Sequence, residues 1–409
     1  MLYADRIRQQ IQVLGNVPMP SNEAIEHSEQ LYLQLIDQLG DRSDNQPLPF
    51  VEVMEQLLHS PGLGYYSAGA LKIGAAGDFV TAPEISAFYG FALANQCAEV
   101  LKVTSGSILE FGAGLGTLAK DVLVQLEKLQ CLPEHYYIVE ISADLKQRQQ
   151  IKLQAEIPHL FPLISWLDQL PDEGFKGVIL ANEVIDAMPV HLFEMTANGP
   201  KDVGVVKAVD GELEFQTSTE LSNEMAQWFA RDEIQQLHFP EGYISEVNLI
   251  MESWIKALGD CLSQGLILLI DYGYPRHEYY LEERNQGSLI CHYRHHSHDK
   301  VLYLAGLQDI TAHVDFTAVA EAAFESGLSV SGYTNQASFL SGCGILQLAE
   351  AAAADDLDKQ MQIAQQIRTL IMPDEMGEMF KIIALTQDLP LELTSHLQGF
   401  SLSDLRHAL

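Results

Sequence analysis

One acid and three closely spaced glycines stand together at residues 108–118, which read ILEFGAGLGTL. The apolar run predicts a strand, and the residues after the glycines predict a helix. Glycine permits positive φ and lets a ligand approach the backbone closely. The N-terminus of the following helix offers free N–H groups. The stretch therefore predicts a turn that binds a nucleotide.

Two residues of this stretch favour one class of nucleotide over another. A dinucleotide site requires a third glycine where this chain has Thr117. Glu110 stands beside the N–H-rich turn, where it would repel a pyrophosphate and suit an ammonium group. S-adenosylmethionine has an ammonium, a carboxylate and a sulfonium, but no phosphate. We therefore predict that Glu110, Gly112, Gly114 and Gly116 bind S-adenosylmethionine, and an NAD-dependent dehydrogenase is the weaker alternative.

Acids also follow the next two predicted strands. Glu140 ends the stretch YYIVE, and an acid at this place accepts hydrogen bonds from two ribose hydroxyls. NAD sites share this feature, so it does not discriminate between the two cofactors. Asp168 stands just past LISW. It is predicted either to accept a hydrogen bond from an adenine amino group or to be a solvated loop acid.

The stretch ANEVIDAMPVHLFE crowds polar residues around one strand end. Asn182, Glu183 and Asp186 are the predicted catalytic residues, because an acid here can hold a guanidinium by paired charge-assisted hydrogen bonds. It would orient the acceptor nitrogen for in-line attack. The alternative is that Asn182 or Glu183 caps a helix and that the other acids are exposed.

The elements that position these residues alternate along the chain. From residue 107, short apolar runs alternate with helical stretches at about 117–130 and 143–155. This pattern predicts an α/β fold with a parallel sheet covered by helices, whose ligands bind at the carboxyl ends of the strands. The seven predicted strands are SILEF, YYIVE, LISW, GVILAN, LILLIDYG, LSVSGYT and FKIIALTQ.

The chain is expected to have an N-terminal helical and loop region, an interrupted core and a C-terminal tail. Helices are predicted over residues 1–40 and 50–60. The hairpin DVGVVKAVDGELEFQ, with Asp210-Gly211 at its turn, is of the extended kind that often serves dimer contacts, so a homodimer is one expectation. The predicted boundaries are 1–100 for the N-terminal region, 101–391 for the core, about 187–262 and 274–327 for its insertions, and 392–409 for the tail.

Composition excludes several classes of function. With 23 Lys and Arg against 56 Asp and Glu, the formal net charge is −33, which argues against nucleic-acid binding. The five cysteines are far apart and form no CxxC pair. The stretch CHYRHHSH does not have the spacing of a metal site, so no metal is predicted. The N-terminus has no signal-like apolar run, and no run is long enough to span a membrane, so a cytoplasmic chain of the bacterial type is expected.

Taken together, these stretches resemble one family. The chain is similar to MidA-type methyltransferases, the S-adenosylmethionine-dependent family that includes a mitochondrial complex I assembly factor. The likeness runs from about residue 45 to 345. It implies a Rossmann-like seven-stranded methyltransferase core with an N-terminal helical segment and inserted cap regions. The motifs that carry it are PGLGYYS, GDFVTAPEIS, LEFGAGLGTL, YYIVEISADLKQRQ, ANEVIDAMPVHLFE, LILLIDYG and LQDITAHVDF.

The resemblance also implies an acceptor and further site residues. The mitochondrial relative methylates an arginine on a respiratory complex I subunit, so the implied partner is a protein that bears a target arginine. In GDFVTAPEIS, the residues Asp78, Phe79, Thr81, Pro83 and Glu84 are predicted to close over the cofactor or the acceptor. Two alternatives are an enzyme of the same fold with another acceptor and a non-enzymatic assembly factor.

Overall fold

The computed structural model describes residues 2–15, 17–40, 46–67, 80–171, 174–352 and 357–409. These residues form two compact units, each assembled from three segments of the chain. Unit 1 comprises Met1–Phe79, Asp186–Met251 and Arg276–His313, and unit 2 comprises Val80–Ile185, Glu252–Pro275 and Val314–Leu409.

Unit 2 is built on a mostly parallel sheet. Its main strands are Ser107–Phe111 (β1), Tyr136–Val139 (β2), Ile164–Leu167 (β3), Phe175–Asn182 (β4), Leu262–Tyr274 (β5), Ser329–Asn335 (β6) and Phe380–Gln387 (β7). Their order in the sheet is β6-β7-β5-β4-β1-β2-β3, in which only the pairings of β7 with β5 and with β6 are antiparallel.

The predicted α/β fold with a mostly parallel sheet is confirmed. All seven predicted strands are present in the described residues. The sheet as described has eight strands, because the two-residue strand Val314–Asp315 also pairs with the end of β5. The central strands β4 and β5 are buried along most of their length, which is why their sequences read as continuous apolar runs.

Helices cover this sheet and start at recognisable caps. Ser86 accepts a hydrogen bond from the backbone N–H of Phe88, and Ser142 accepts one from Leu145. The helices next to the candidate site are Ala87–Thr104 (α1), Thr117–Lys128 (α2) and Ala143–Glu156 (α3). The others are Ala82–Ile85, Leu249–Cys261, Phe316–Glu325, Gln336–Gly342, Ile345–Ala352, Leu357–Ile371 and Leu391–Thr394.

The C-terminal residues pack into the core of unit 2. Phe400 is buried in the same apolar cluster as Phe339. The backbone N–H of Gly399 donates to Oε1 of Gln96 over 2.9 Å. The division of the chain predicted from the sequence, with a tail at 392–409, stays a prediction.

The described residues of unit 1 form two antiparallel sheets. The first has the order Leu48–Pro49, Gly199–Lys207, His191–Thr196 and Ile244–Val247, with Leu213–Thr217 paired to Gly199–Lys207. The second has the order His296–His298, Ile290–Tyr293 and Asp309–Thr311. The main helices of the unit are Tyr3–Val13, Asn22–Gly40, Phe50–His59, Asn223–Phe229, Asp232–Gln235 and Arg276–Tyr279.

Two predictions for unit 1 are settled by these elements. The hairpin turn at Asp210-Gly211 is confirmed, since its flanking strands pair and Gly211 donates to the carbonyl of Ala208. The helical prediction for residues 1–40 is confirmed except for an interruption. Two helices lie there, separated by a segment that contains Pro18 and Pro20, and proline removes a helical hydrogen bond and disfavours helix in the residue before it.

No helix within the described residues is long and apolar enough to cross a membrane.

Candidate functional site

The glycine turn after β1 adopts a conformation that other residues rarely take. The φ angles are +60° at Gly112, +53° at Gly114 and +76° at Gly116. Gly116 is also the N-cap of α2, and no side chain of the described residues caps that helix. The turn therefore requires glycine at all three positions and presents the N–H groups of the first helical turn to a ligand.

Glu110 is buried at the end of β1, beside a tyrosine hydroxyl. Its Oε2 accepts a hydrogen bond from the hydroxyl of Tyr136 over 2.8 Å. The pKa of Glu110 is raised to about 8, because the effect of burial and the charge of Glu140 outweigh the hydrogen bond from Tyr136, which lowers it. A cation beside Glu110 would favour the ionised acid, as the predicted ammonium contact requires.

Glu140 follows β2 and accepts hydrogen bonds from the backbone N–H groups of Ile141 and Ser142 and from Gln149. Its Oε1 accepts from the backbone N–H of Ser142 over 2.9 Å, and its Oε2 accepts from Nε2 of Gln149 over 3.0 Å. Burial raises the pKa of Glu140, and its three hydrogen bonds lower it. Carboxylate oxygens accept more than one hydrogen bond, so Glu140 retains capacity for ribose hydroxyls.

Sequence reasoning did not identify Gln149. This side chain lies on α3 and is fully buried. Its Nε2 also donates to the backbone carbonyl of Gly114 over 2.9 Å, and its Oε1 accepts from Nε1 of Trp166 over 2.8 Å. The only available signal was that α3 follows the acid-terminated strand β2, which does not single out one of its several glutamines.

Asp168 is exposed, unlike the buried acids Glu110 and Glu140. Its side chain is 91% exposed and pairs with Nζ of Lys146 over 3.0 Å. A contact with adenine and a solvated loop acid would both place Asp168 just after β3, so its position does not decide between the two predicted roles. Its assignment to the cofactor therefore stays a prediction.

The acids after β4 lie on an unusual backbone. Glu183 has a φ of +53°, and its backbone N–H donates to the carbonyl of Ile270 over 2.9 Å. The residues between β4 and the strand His191–Thr196 are all described and contain no helix, so the helix-capping alternative for Asn182 and Glu183 is wrong. Left-handed conformations at residues other than glycine cost energy and cluster at functional sites.

A buried tyrosine orients the side chains at this strand end. The hydroxyl of Tyr89, on α1, donates to Oδ1 of Asn182. Nδ2 of Asn182 in turn donates to Oε1 of Glu183 over 3.0 Å. This chain of contacts fixes which way the Asn182 amide points. Tyr89 was missed because it lies about ninety residues earlier in the sequence.

The loop after β4 is fixed to β5 and to the glycine turn. Oδ2 of the buried Asp271 accepts from the backbone N–H groups of Val184 and Ile185, over 3.3 and 3.0 Å. A Cβ atom at Gly112 would lie 3.2 Å from Cγ2 of Val184. The glycine turn and the loop that carries Glu183 are therefore direct neighbours within unit 2.

Asp186 belongs to unit 1, whereas Asn182 and Glu183 belong to unit 2. Asp186 is buried, and its backbone carbonyl accepts from the N–H of Ala312 over 2.9 Å. Its predicted catalytic role stays a prediction. Glu194, in unit 1, accepts a hydrogen bond from the hydroxyl of Thr217.

The motif GDFVTAPEIS is only partly described. Asp78 and Phe79 lie outside the described residues. Thr81 is the N-cap of the short helix Ala82–Ile85, in which Pro83 is buried. The helix Ala82–Ile85 packs against α2. Burial and, to a smaller extent, the charge of Glu84 raise the pKa of Asp121 on α2, and two lysines lower it, with a net value of about 6. The predicted closure over the cofactor stays a prediction.

The histidine-rich stretch forms a strand pair, Ile290–Tyr293 with His296–His298. Among the described residues, no group of three or more His, Cys, Asp or Glu side chains is arranged to hold a metal ion.

Comparison with known proteins identifies the family. The model of the family described as "Putative S-adenosyl-L-methionine-dependent methyltransferase" matches residues 92–334, which is more than half of the chain. The chain belongs to this family. The matched residues include β1, the glycine turn and the strand end at Glu183.

Relatives of this methyltransferase cover most of its length. Protein arginine methyltransferase NDUFAF7, mitochondrial, of Danio rerio is 28% identical over 380 residues, or 86% of each chain. The protein of the same name from Homo sapiens is 27% identical over 369 residues, covering 83% of this chain and 80% of its own. A crystal structure from Burkholderia thailandensis, bound to S-adenosyl-homocysteine, is 37% identical with a TM-score of 0.89, covering 96% of this chain and 100% of its own.

These findings confirm two predictions made from the sequence. The chain is an S-adenosylmethionine-dependent methyltransferase, and S-adenosylmethionine is its cofactor. The resemblance to the MidA-type family is likewise confirmed.

Proposed function

We propose that this methyltransferase transfers a methyl group to an arginine side chain of a protein. The observation that carries the proposal is the carboxylate of Glu183, which lies on a backbone of positive φ and accepts a hydrogen bond from Asn182. The next residue, Val184, lies against the glycine turn at Gly112. A carboxylate in a fixed orientation can hold a guanidinium through paired charge-assisted hydrogen bonds. The curated relatives that match most of the chain are named protein arginine methyltransferases.

The residues around the glycine turn fit the cofactor. Three glycines with positive φ admit a ligand close to the backbone, and the N-terminus of α2 suits a carboxylate. Glu110 suits an ammonium group and Glu140 suits ribose hydroxyls. The residues proposed to bind S-adenosylmethionine are Glu110, Gly112, Gly114, Gly116, Glu140, Asp168, Asp78, Thr81, Pro83 and Glu84.

Each residue at the acceptor side has a defined task in this proposal. When bound, S-adenosylmethionine supplies an electrophilic methyl group. Glu183 holds the guanidinium so that one of its nitrogens faces that methyl group, and Asn182 keeps the carboxylate in place. Asp186 is proposed as a second acid at the acceptor. The guanidinium nitrogen loses a proton during or after the transfer, and Glu183 is the nearby acid that can receive it.

The partner follows from the same chemistry. We infer that the acceptor is a protein, because an acid that binds a guanidinium selects arginine side chains. A subunit of a respiratory complex is the specific partner that the resemblance to MidA-type proteins implies. We further propose a cytoplasmic enzyme that forms a homodimer through the hairpin near residues 203–216.

Substitution of Glu183 tests the acceptor assignment. Glu183→Gln removes the negative charge and keeps the length of the side chain. We expect the affinity for S-adenosyl-homocysteine to stay within about twofold while methyl transfer falls about 10- to 100-fold, since a hydrogen bond to a charged group is worth about 1.5–3 kcal/mol. Calorimetry and transfer of a labelled methyl group to host lysate measure the two quantities.

The matched control is Glu325→Gln, at the exposed end of the helix Phe316–Glu325. It should leave both quantities unchanged. Loss of cofactor affinity in Glu183→Gln would assign Glu183 to the cofactor and contradict the proposed role. A labelled product that is a small molecule would contradict the protein acceptor.

A further inference from the structure

Gln149 joins three segments of unit 2 that lie far apart in the sequence. Its side-chain amide contacts the carbonyl of Gly114 in the glycine turn, Glu140 after β2 and Trp166 in β3. The three distances lie between 2.8 and 3.0 Å. These are ordinary lengths for hydrogen bonds between nitrogen and oxygen.

The chemistry of an amide allows only one orientation at this place. Nε2 has two hydrogens, and it donates one to Gly114 and one to Glu140. Oε1 accepts from the indole N–H of Trp166. A rotation by 180° would turn the amide oxygen toward a carbonyl and a carboxylate, and would turn the amide nitrogen toward a donor. In this orientation, the side-chain nitrogen and the side-chain oxygen of Gln149 both make hydrogen bonds.

The burial of Gln149 is also unusual for its helix. Gln149 and Leu153 are the buried residues of α3, and Gln149 is 0% exposed. Burying an amide costs free energy unless its hydrogen bonds are made, so an apolar residue would serve simple packing as well. The amide instead meets the two residues, Gly114 and Glu140, that the proposed function assigns to the cofactor.

We propose that Gln149 is a positioning residue that assembles the cofactor site before S-adenosylmethionine binds. It holds the carbonyl of Gly114 in the turn, orients the carboxylate of Glu140 toward the ribose and fixes the indole of Trp166. This inference rests on the proposed placement of the cofactor at Gly114 and Glu140. Without Gln149, the buried Glu140 loses a hydrogen-bond donor and the carbonyl of Gly114 loses its contact with the side-chain amide. The free energy of cofactor binding is then reduced by the cost of ordering Glu140 and the glycine turn.

Two substitutions test this role. Gln149→Met keeps the approximate shape but removes all three hydrogen bonds, whereas Gln149→Glu keeps an acceptor for Trp166 and places a carboxyl group against Glu140. We expect both variants to weaken the affinity for S-adenosyl-homocysteine by about 10- to 100-fold, the range that corresponds to losing a hydrogen bond to a charged group. At saturating S-adenosylmethionine, kcat should change less than about threefold, because the acceptor side is intact.

The pH dependence of the two variants separates positioning from packing. A protonated carboxyl group has one O–H donor, so Gln149→Glu can again donate toward Glu140 when it carries a proton. Relative to the unchanged protein at each pH, the affinity of Gln149→Glu should recover as the pH falls from about 8 to about 6, since a carboxyl group buried beside another has a raised pKa. Gln149→Met has no titrating group and should show no such recovery.

Gln96→Met is the matched control for loss of a buried glutamine. Gln96 is also 0% exposed and makes hydrogen bonds through both ends of its amide, to Glu99 and to Gly399. Gln96→Met should lower the free energy of unfolding without a specific loss of affinity for S-adenosyl-homocysteine. If Gln149→Met does not fold, Gln149→Glu and its pH dependence decide the question.

Two further variants distinguish the failure of this inference from the failure of the cofactor placement. If Gly114→Val and Glu140→Gln weaken cofactor binding but folded Gln149 variants bind normally, the positioning role is overturned. If Gly114→Val and Glu140→Gln themselves bind normally, the cofactor lies elsewhere and the inference falls with its placement. The positioning role of Gln149 is supported if Gly114→Val, Glu140→Gln and both Gln149 variants lose affinity for the cofactor. Only Gln149→Glu should then recover affinity at low pH.

Discussion

At the scale of single residues, the candidate site depends on buried polar contacts that specify orientation. Tyr89 fixes the amide of Asn182, which in turn contacts Glu183. Gln149 does the same for Glu140. In both places a neutral side chain orients a carboxylate, which leaves the negative charge available to a cationic or hydroxyl-bearing ligand.

The first prediction concerns Tyr89. Tyr89→Phe removes the hydroxyl that donates to Asn182, so the amide can rotate and Glu183 loses its fixed orientation. A net hydrogen bond is worth about 1 kcal/mol, so we expect kcat to fall about fivefold or more. The KM for S-adenosylmethionine should not change, because the glycine turn is untouched. Steady-state kinetics with a protein acceptor measures both constants.

Tyr280→Phe provides the comparison. Its hydroxyl donates to the carbonyl of Glu246 in unit 1 and is also buried. An equal fall in kcat in both variants would show that the effect of Tyr89→Phe is only one of stability.

The second prediction concerns the glycine turn. Gly114 has a φ of +53°, a conformation that a β-branched residue adopts only with strain. Gly114→Val should therefore abolish binding of S-adenosyl-homocysteine, because both the turn and its free N–H groups are displaced. Calorimetry checks this result.

Gly327→Val separates local strain from loss of the site. Gly327 has a φ of +78°, and a Cβ atom added there would meet no described atom within 4 Å, so the substitution strains the backbone without a steric clash. Gly327→Val should lower the free energy of unfolding and keep the affinity for S-adenosyl-homocysteine. Unchanged affinity in a folded Gly114→Val variant would contradict the placement of the cofactor.

At the scale of elements, the ends of adjacent strands bring the proposed cofactor and acceptor residues together. β1 lies between β2 and β4, so Glu110, Glu140 and Asn182 all stand at one edge of the sheet. The loop after β4 contains no helix, and Asp271 at the end of β5 supplies the acceptor for its backbone N–H groups. The loop is thus ordered by a side chain from the neighbouring strand.

The third prediction tests this support. Both carboxylate oxygens of Asp271 accept from backbone N–H groups, and Asp271→Asn replaces one of them by an amide nitrogen, which cannot accept. We expect the free energy of unfolding to fall by about 1–3 kcal/mol, the cost of leaving a buried donor unpaired. Methyl transfer should fall as well, because the loop carries Glu183. Denaturant unfolding followed by circular dichroism gives the stability.

Asp260→Asn is the control for removing a charge from this part of the chain. Asp260 is 62% exposed and pairs with Lys256 on the same helix. A surface change of this kind should alter stability by less than about 0.5 kcal/mol. Equal stabilities for both variants would contradict the structural role of Asp271.

At the scale of the whole molecule, the excess of acidic residues bears on the choice of partner. The formal net charge of −33 creates a negative field that attracts basic proteins. Arginine-bearing segments of a protein acceptor carry the complementary charge. The acids proposed to bind the cofactor, Glu110 and Glu140, are in contrast buried, and buried charges are screened less by salt.

The fourth prediction follows from this difference. As ionic strength rises from about 0.05 to about 0.5 M, the Debye length shortens several-fold, so the KM for a basic protein acceptor should rise several-fold. The KM for S-adenosylmethionine should change less than about twofold, because the acids proposed to bind it, Glu110 and Glu140, are buried. Steady-state kinetics in sodium chloride gives both values. A KM for the acceptor that is independent of salt would argue for an acceptor without basic charge.

The sequence by itself determined the sheet and the cofactor class. Strand runs such as LILLIDYG and GVILAN are apolar throughout because both faces of a parallel sheet are covered, and this local signal needs no tertiary information. The glycine turn and Glu110 likewise lie within one short stretch, so their chemistry can be read from neighbouring letters. The helical prediction for residues 1–40 missed one interruption, where two prolines outweigh the apolar spacing.

Only the tertiary structure decided which side chains support the predicted ones. Tyr89, Gln149 and Asp271 act through partners that are about 10 to 90 residues away in the sequence, and their types, a tyrosine, a glutamine and an aspartate, occur at many other positions. It also decided that Glu183 has a positive φ and that Asp186 falls in the other unit. Hydrogen-bond partners of this kind depend on where the packed strands and helices meet, which no local pattern encodes.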